Sequence, residues 1–98
     1  MASASDDRTI KLWNTASGAV YKTLSGHTNS VTSLAILPSG SLASGSDDKK
    51  IKIWNTISGA NINTLSGHTG SVNSLVLIPD GTLASGSSDK KIRIWKQF

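Results

Sequence analysis

Two histidines, His27 and His68, stand 41 residues apart in this 98-residue chain. Each is followed at the same intervals by a serine, an aspartate and a tryptophan: Ser44, Asp48 and Trp54 after the first, Ser85, Asp89 and Trp95 after the second. A serine, a histidine and an aspartate in one locality suggest nucleophilic hydrolysis, which needs an exposed hydroxyl beside its base and a pocket of oxyanion donors. The recurrence argues against that chemistry. The same residues return with every repeat, capped by a tryptophan, which is how a structural hydrogen-bond network behaves. Two histidines separated by a whole repeat, with no ligating cluster nearby, also make a poor metal site. The glycines of SGS and SGA lack the strand–loop–helix setting of a phosphate cradle. We therefore expect no catalytic residue, no metal, no cofactor and no enzyme.

Composition narrows the classes further. Ten Lys/Arg against six Asp, with no Glu, give a formal charge of +4. The cations fall in short repeated groups (Lys49, Lys50, Lys52; Lys90, Lys91, Arg93), which suit solvated strand edges and turns and discourage stray strand pairing. Single-stranded nucleic acid would want aromatic rings to stack on beside those cations, and none is there, so nucleic acid is not the expected partner. The chain has no cysteine, hence no disulfide and no thiolate metal site. Residues 1–15 carry no apolar core of a signal peptide. The longest apolar runs, 34–37 and 75–78, fall far short of the roughly 20 residues that span a bilayer. The expectation is a soluble intracellular protein with no membrane partner.

The elements that must position the repeated residues are short strands. Trp13, Trp54 and Trp95 share the 41-residue spacing, as do Pro38 and Pro79, and residues 14–54 and 55–95 agree at about two thirds of positions. Such a period marks an array whose units bury their faces on their neighbours. Within one period, SVTSLAIL or SVNSLVLI reads as a strand, and PSG or PDG as a turn. SLASGS or TLASGS is the next strand, followed by the polar turn DDKK or SDKK, and then IKIWN or IRIWK. After ISGA or ASGA comes a last strand, AVYKTL or ANINTL. That makes four strands per repeat joined by hairpin-length loops, with no 3.6-residue apolar periodicity anywhere.

GHTNSV and GHTGSV, then LASGS with Asp and Lys in the following turn, then IKIW and IRIW, together resemble the WD-repeat family of β-propellers, whose signature is a Gly-His pair and a Trp-Asp pair per unit. The resemblance covers essentially the whole chain. It departs in one respect: each tryptophan is followed by Asn14, Asn55 or Lys96, never by Asp. What the resemblance implies is a blade whose strands a, b, c and d run outward from a central channel. It also implies a buried hydrogen-bond chain joining His27, Ser44, Asp48 and Trp54, and a second joining His68, Ser85, Asp89 and Trp95. The first repeat offers Ser3, Asp7 and Trp13 without a histidine. Indole N–H donates, hydroxyl donates and accepts, imidazole does one at each nitrogen, and carboxylate accepts, so such a chain can satisfy every member. By the same resemblance, partners meet the face where d–a loops and b–c turns gather, which maps to Asp6, Ser30, Thr32, Asp47, Ser71, Asn73 and Ser88.

The expected fold is thus all-β, built of four-stranded antiparallel propeller blades: a partial blade at 1–27 (end of b, then c and d), a complete one at 28–65, and a partial one at 66–98 (a, b and c). Propellers usually close with 4–8 blades, so completion by oligomerisation is expected. The expected function is a protein-interaction scaffold assembled from several copies, its protein partner unnamed. The alternatives are a self-assembling structural protein that forms head-to-tail filaments, and a piece of a longer propeller.

Overall fold

A computed structural model of the chain describes residues 2–4, 8–13, 16–37 and 41–95, the first three by their backbone alone. Among them, ten strands form three antiparallel sheets. The first sheet holds β1 (Ala2–Ala4), β2 (Thr9–Trp13) and β3 (Val20–Ser25), in that order. The second holds β4 (Val31–Ile36), β5 (Leu42–Ser46), β6 (Lys50–Trp54) and β7 (Asn61–Ser66). The third holds β8 (Val72–Leu77), β9 (Leu83–Ser87) and β10 (Ile92–Trp95). The all-β, antiparallel expectation holds. The PSG turn at 38–40 lies outside the described residues.

Each sheet is two-faced, and its strands are written accordingly. In β6 the Lys–Ile alternation puts Ile51 and Ile53 on one face, and Lys50, Lys52 and Trp54 on the other. The central strand β5, LASGS, is buried at every position because both of its faces are covered, and its small residues let neighbours approach closely. The outermost strand β7 is polar and buries only Leu65, and β3 likewise buries only Leu24.

Two apolar clusters join the three sheets. Ile10, Leu12 and Leu24 of the first sheet pack on Val31, Leu42 and Trp54 of the second. Ala43, Ile51, Ile53 and Leu65, on the other face of the second sheet, pack with Val72, Leu75 and Leu83 of the third. Each fully buried aliphatic side chain contributes about 1.5–3 kcal/mol of transfer free energy, so stability resides in the joints between sheets more than within any one of them. Gly45 shows how tight the second joint is: a Cβ there would stand 2.6 Å from Val72 Cγ1 and 2.7 Å from Ser33 Oγ.

Candidate interaction face and the network beneath it

The turn after β5 is held by side chains rather than by backbone preference. Lys49 sits in the left-handed region at φ 73°, and its equivalents Arg8 and Lys90 do the same at 74° and 68°. A non-glycine residue persists there only when its surroundings over-determine it. Asp48 supplies that determination: its Oδ1 accepts the Lys50 amide at 2.9 Å and its Oδ2 accepts the Thr28 amide at 3.1 Å. One carboxylate thereby ties the β5–β6 turn to the loop that leads into β4.

The same carboxylate ends a chain that runs through the sheet. His27 Nδ1 lies 2.8 Å from Asp48 Oδ2 and His27 Nε2 lies 2.6 Å from Ser44 Oγ, while Trp54 Nε1–H donates to Ser44 Oγ at 2.8 Å. A carboxylate can only accept, so Nδ1 carries the proton, and Nε2 then accepts from the Ser44 hydroxyl. Every member is satisfied with His27 neutral. Burial pushes the His27 pKa down, and the hydrogen bond to Asp48 only partly offsets this. For Asp48, burial alone would raise the pKa, but the His27 ring and the Thr28 and Lys50 amides together hold it below the ordinary carboxylate value.

The third sheet repeats the arrangement. His68 Nδ1 is 2.9 Å from Asp89 Oδ2, His68 Nε2 is 2.7 Å from Ser85 Oγ, and Trp95 Nε1–H donates to Ser85 Oγ at 2.9 Å. Here too burial opposes, and the His68 ring and the Thr69 and Lys91 amides prevail, lowering Asp89 to about 2. One difference separates the copies: Trp54 is buried, whereas Trp95 is half-buried. In the first repeat, Asp7 lies outside the described residues, Ser3 is described by backbone only, and Trp13 is half-buried at the end of β2.

Serine, histidine and aspartate therefore stand in line, at hydrogen-bond distances, in two places. Ser44 and Ser85 are fully buried and their hydroxyls already receive an indole N–H, so neither is open to a substrate carbonyl. Among the described residues, no three His, Cys, Asp or Glu side chains gather as metal ligands. No helix among them is long and apolar enough to cross a membrane.

The residues expected on the partner face fall into two adjoining groups. The Asp47 amide donates to Ser30 O at 3.0 Å, which sets that loop and turn side by side. One repeat later, the Ser88 amide donates to Ser71 O at 2.9 Å, and Asn73 Nδ2 donates to Ser88 Oγ at 3.1 Å. Asp6 lies outside the described residues. Thr32 is exposed and also engaged within the protein. Its Oγ1 reaches Gly45 O at 3.1 Å and also Val72 O in the third sheet, bridging the joint between sheets.

Sequence reasoning passed over three further contributors. Ser46 Oγ accepts the Asp48 amide at 3.1 Å and donates to Ser30 O at 2.7 Å. Ser87 Oγ likewise accepts the Asp89 amide at 3.2 Å. Asn55, standing where the WD signature has Asp, uses its Oδ1 to accept the Ile57 amide at 2.8 Å and the Ser58 amide at 3.1 Å, shaping the turn into β7. The second serine of SGS, present in both full repeats, was the signal available for the first two.

Three sheets with repeated joints and repeated His–Ser–Asp–Trp chains define a recurrent unit, and a family profile described as "WD domain, G-beta repeat" matches residues 1–14, 18–55 and 59–96. The chain belongs to the WD40-repeat family. Its fold superposes on the WD40 β-propeller domain of Doa1 with a TM-score of 0.93 and 31% identity, covering 99% of this chain and 33% of that one. Among curated proteins it is similar to nuclear distribution protein PAC1 of Coprinopsis cinerea, 48% identical over 40 residues, and to the Lissencephaly-1 homolog of Caenorhabditis briggsae, 50% identical over 40 residues. Each match takes in 41% of this chain and covers 9% and 10% of those relatives, respectively. The chain thus spans only a small part of the proteins it matches.

Proposed function

We propose that this WD40 chain is a non-enzymatic protein-interaction scaffold whose partner meets the loop-and-turn face, and that several copies complete a propeller. The observation that carries the partner reading is the pre-built face: in both full repeats the loop and the neighbouring turn are fastened by backbone bonds and by one buried carboxylate. A face ordered before binding loses little entropy when a partner docks. Its exposed groups are small and polar, with the Lys49, Lys50, Lys90 and Lys91 side chains around them, which suits a polar, partly acidic protein surface.

The test is site-specific photo-crosslinking in cells, with the probe at Asn73 on this face or at Ile57 on the opposite turn. Discrete protein adducts from Asn73 and none from Ile57 are expected. Equal labelling from both positions would defeat the reading.

The completion reading is that of a chain with three WD40 matches in a family whose rings usually close with 4–8 blades. It predicts a fixed small multiple of the 10.2 kDa chain by light scattering. Growth without limit over a concentration series would favour the second reading, an open head-to-tail filament, and a monomer at all concentrations would defeat both.

A further inference from the structure

Asn29 is exposed in the bend between β3 and β4, and its side chain folds back on the chain. Its Oδ1 accepts the amide N–H of the next residue, Ser30, at 2.8 Å. That oxygen is one bond from Cγ, so the Ser30 nitrogen is held close to a side-chain carbonyl carbon it can attack. The segment is clamped on both sides. The Thr28 amide donates to Asp48 Oδ2 at 3.1 Å, and Ser30 O accepts from the Asp47 amide at 3.0 Å and from Ser46 Oγ at 2.7 Å. A nucleophile and a carbonyl already held together need little further ordering to react. Other asparagines are placed differently. Asn73 begins the same Asn-Ser dipeptide, but it lies within β8 and its Nδ2 donates to Ser88 Oγ at 3.1 Å. Asn63 Oδ1 accepts the Thr64 amide at 2.9 Å, yet both residues pair with β6, and closing a succinimide ring there would turn Asn63 out of its extended conformation. Asn55 Oδ1 is taken by the Ile57 and Ser58 amides. In the third sheet, Gly70 stands where Asn29 stands in the second.

From this geometry we propose that Asn29 is a site of spontaneous covalent modification, in which deamidation through a succinimide remodels the loop-and-turn face of the second sheet. The Ser30 amide nitrogen loses its proton to solvent base and attacks Asn29 Cγ. A C–N bond forms, the Cγ–Nδ2 bond breaks, and Nδ2 takes a proton from solvent and leaves as ammonia. Water, the one co-reactant, then opens the ring. Addition at Cγ gives an aspartyl side chain. Addition at the backbone carbonyl carbon gives an isoaspartyl link, whose main chain runs through Cγ and whose former carbonyl is a free carboxylate. Either product places a negative charge against the turn that carries Lys49 and Lys50, because Ser46 Oγ at the base of that turn already reaches Asn29 O at 3.2 Å. The isoaspartyl link also lengthens the main chain by one carbon between the two clamped residues, which draws Ser30 O away from the Asp47 amide and the Ser46 hydroxyl. The matching contact of the third sheet, Ser88 amide to Ser71 O, follows Gly70 and is untouched. Two faces that begin alike thus become unequal as the protein ages, whichever partner meets them.

The shared dipeptide makes the test specific. The full-length chain is aged at mildly alkaline pH, either folded or in urea, and then digested with trypsin. Cleavage after Lys22 and Lys49 leaves Asn29 as the lone asparagine of its peptide. Mass spectrometry follows the exchange of ammonia for water at each asparagine, and methyl transfer by an isoaspartyl methyltransferase reports the isoaspartyl product. In urea, where only the dipeptide matters, Asn29 and Asn73 should convert at similar rates. In the folded chain Asn29 should convert several-fold faster than Asn73, and at least as fast as it does in urea. Equal folded rates at the two sites, or an Asn29 slowed by folding, would overturn the proposal. Asn29→Gln, whose longer side chain disfavours the ring, should remove the modification from this peptide, and product that persists there would overturn the assignment to Asn29. In the aged chain, hydrogen exchange at the Asp47 amide should speed up several-fold while the Ser88 amide stays unchanged. An Asp47 amide equally protected in chains that carry the isoaspartyl link would overturn the remodelling of the face.

Discussion

The second and third sheets are nearly the same sentence of residues in two different settings. Both carry LASGS on the middle strand, an Ile-x-Ile-Trp strand beside it, and a complete His–Ser–Asp–Trp chain at closely matching distances. The second sheet is covered on both faces and the third on one. Local geometry therefore does not depend on how many neighbours a sheet has, because side-chain and backbone hydrogen bonds within the repeat set it. Burial depends on the neighbours almost entirely. The pair is an internal experiment in which chemistry is held constant and packing is varied.

The largest expected contrast lies in the apolar positions. Ile51→Ala should cost about 2–5 kcal/mol, the usual range for truncating a buried aliphatic side chain. Ile92→Ala, the same substitution one repeat on, should stay within about 0.5 kcal/mol in the monomer, as surface changes do. Denaturant midpoints at low protein concentration measure both. Similar losses at the two sites would show that the outer face of the third sheet is covered in solution.

Much of this was legible in the sequence, for reasons that differ by residue. The strands show because the 41-residue period repeats every turn signal, and because Lys-Ile-Lys-Ile-Trp alternates within one strand. The pairing of His27 with Asp48 and Ser44 is implied by the WD-repeat resemblance, with donor and acceptor types that are compatible with it. What stayed hidden depends on contacts between sheets, which spacing inside one repeat does not encode. Thr32 reads as a surface hydroxyl, yet it bridges to Val72 O. Ser33 reads as an ordinary strand serine, yet its buried Oγ is without a hydrogen-bond partner among the described residues, in the joint where Gly45 admits Val72. Asn55 reads as a departure from the signature, yet it organises a turn with its amide oxygen.

Gly45 and Gly86 sharpen the comparison at a smaller scale. A methyl at Gly45 must push aside Val72, which is locked in the joint, so Gly45→Ala should cost about 1–3 kcal/mol as overpacking does. At Gly86 the added carbon meets only Ser74 Oγ, at 2.9 Å, on an exposed side chain that can turn away. Gly86→Ala should be near neutral, helped by a stiffer unfolded chain, an effect of about 0.4–1 kcal/mol. The two thermal midpoints decide it, and a larger loss at Gly86 would contradict the open outer face.

The buried chains should differ less. Ser44→Ala leaves the Trp54 indole N–H and His27 Nε2 without their shared partner in a closed interior, which costs about 1–3 kcal/mol. Ser85→Ala removes the same bonds, but water can reach the half-buried Trp95, so the loss should approach the net value of an ordinary hydrogen bond, about 0.5–1.5 kcal/mol. Equal losses would mean that the third sheet's chain is as well shielded as the second's.

The smallest and most gradual contrast is in pH. In the folded chain Asp48 and Asp89 both titrate below the ordinary carboxylate value, Asp89 at about 2, so the unfolded chain takes up protons first as acid is added. Their stabilisation is complete above the unfolded carboxylate pKa near 4 and is lost as pH falls toward 2. The lowered pKa of His27 acts in the same direction in a higher window: a neutral buried ring stabilises the fold above about pH 6.5, and the benefit declines as the unfolded histidine protonates below it. Stability should therefore fall in two stages on acidification, a shallow one below pH 6.5 and a steeper one below pH 4. The His27→Gln chain, which cannot titrate at that ring, should lose the first stage and keep the second, as seen in denaturant midpoints taken from pH 8 to pH 2. A first stage that survives in His27→Gln would move its origin away from the second sheet's buried ring.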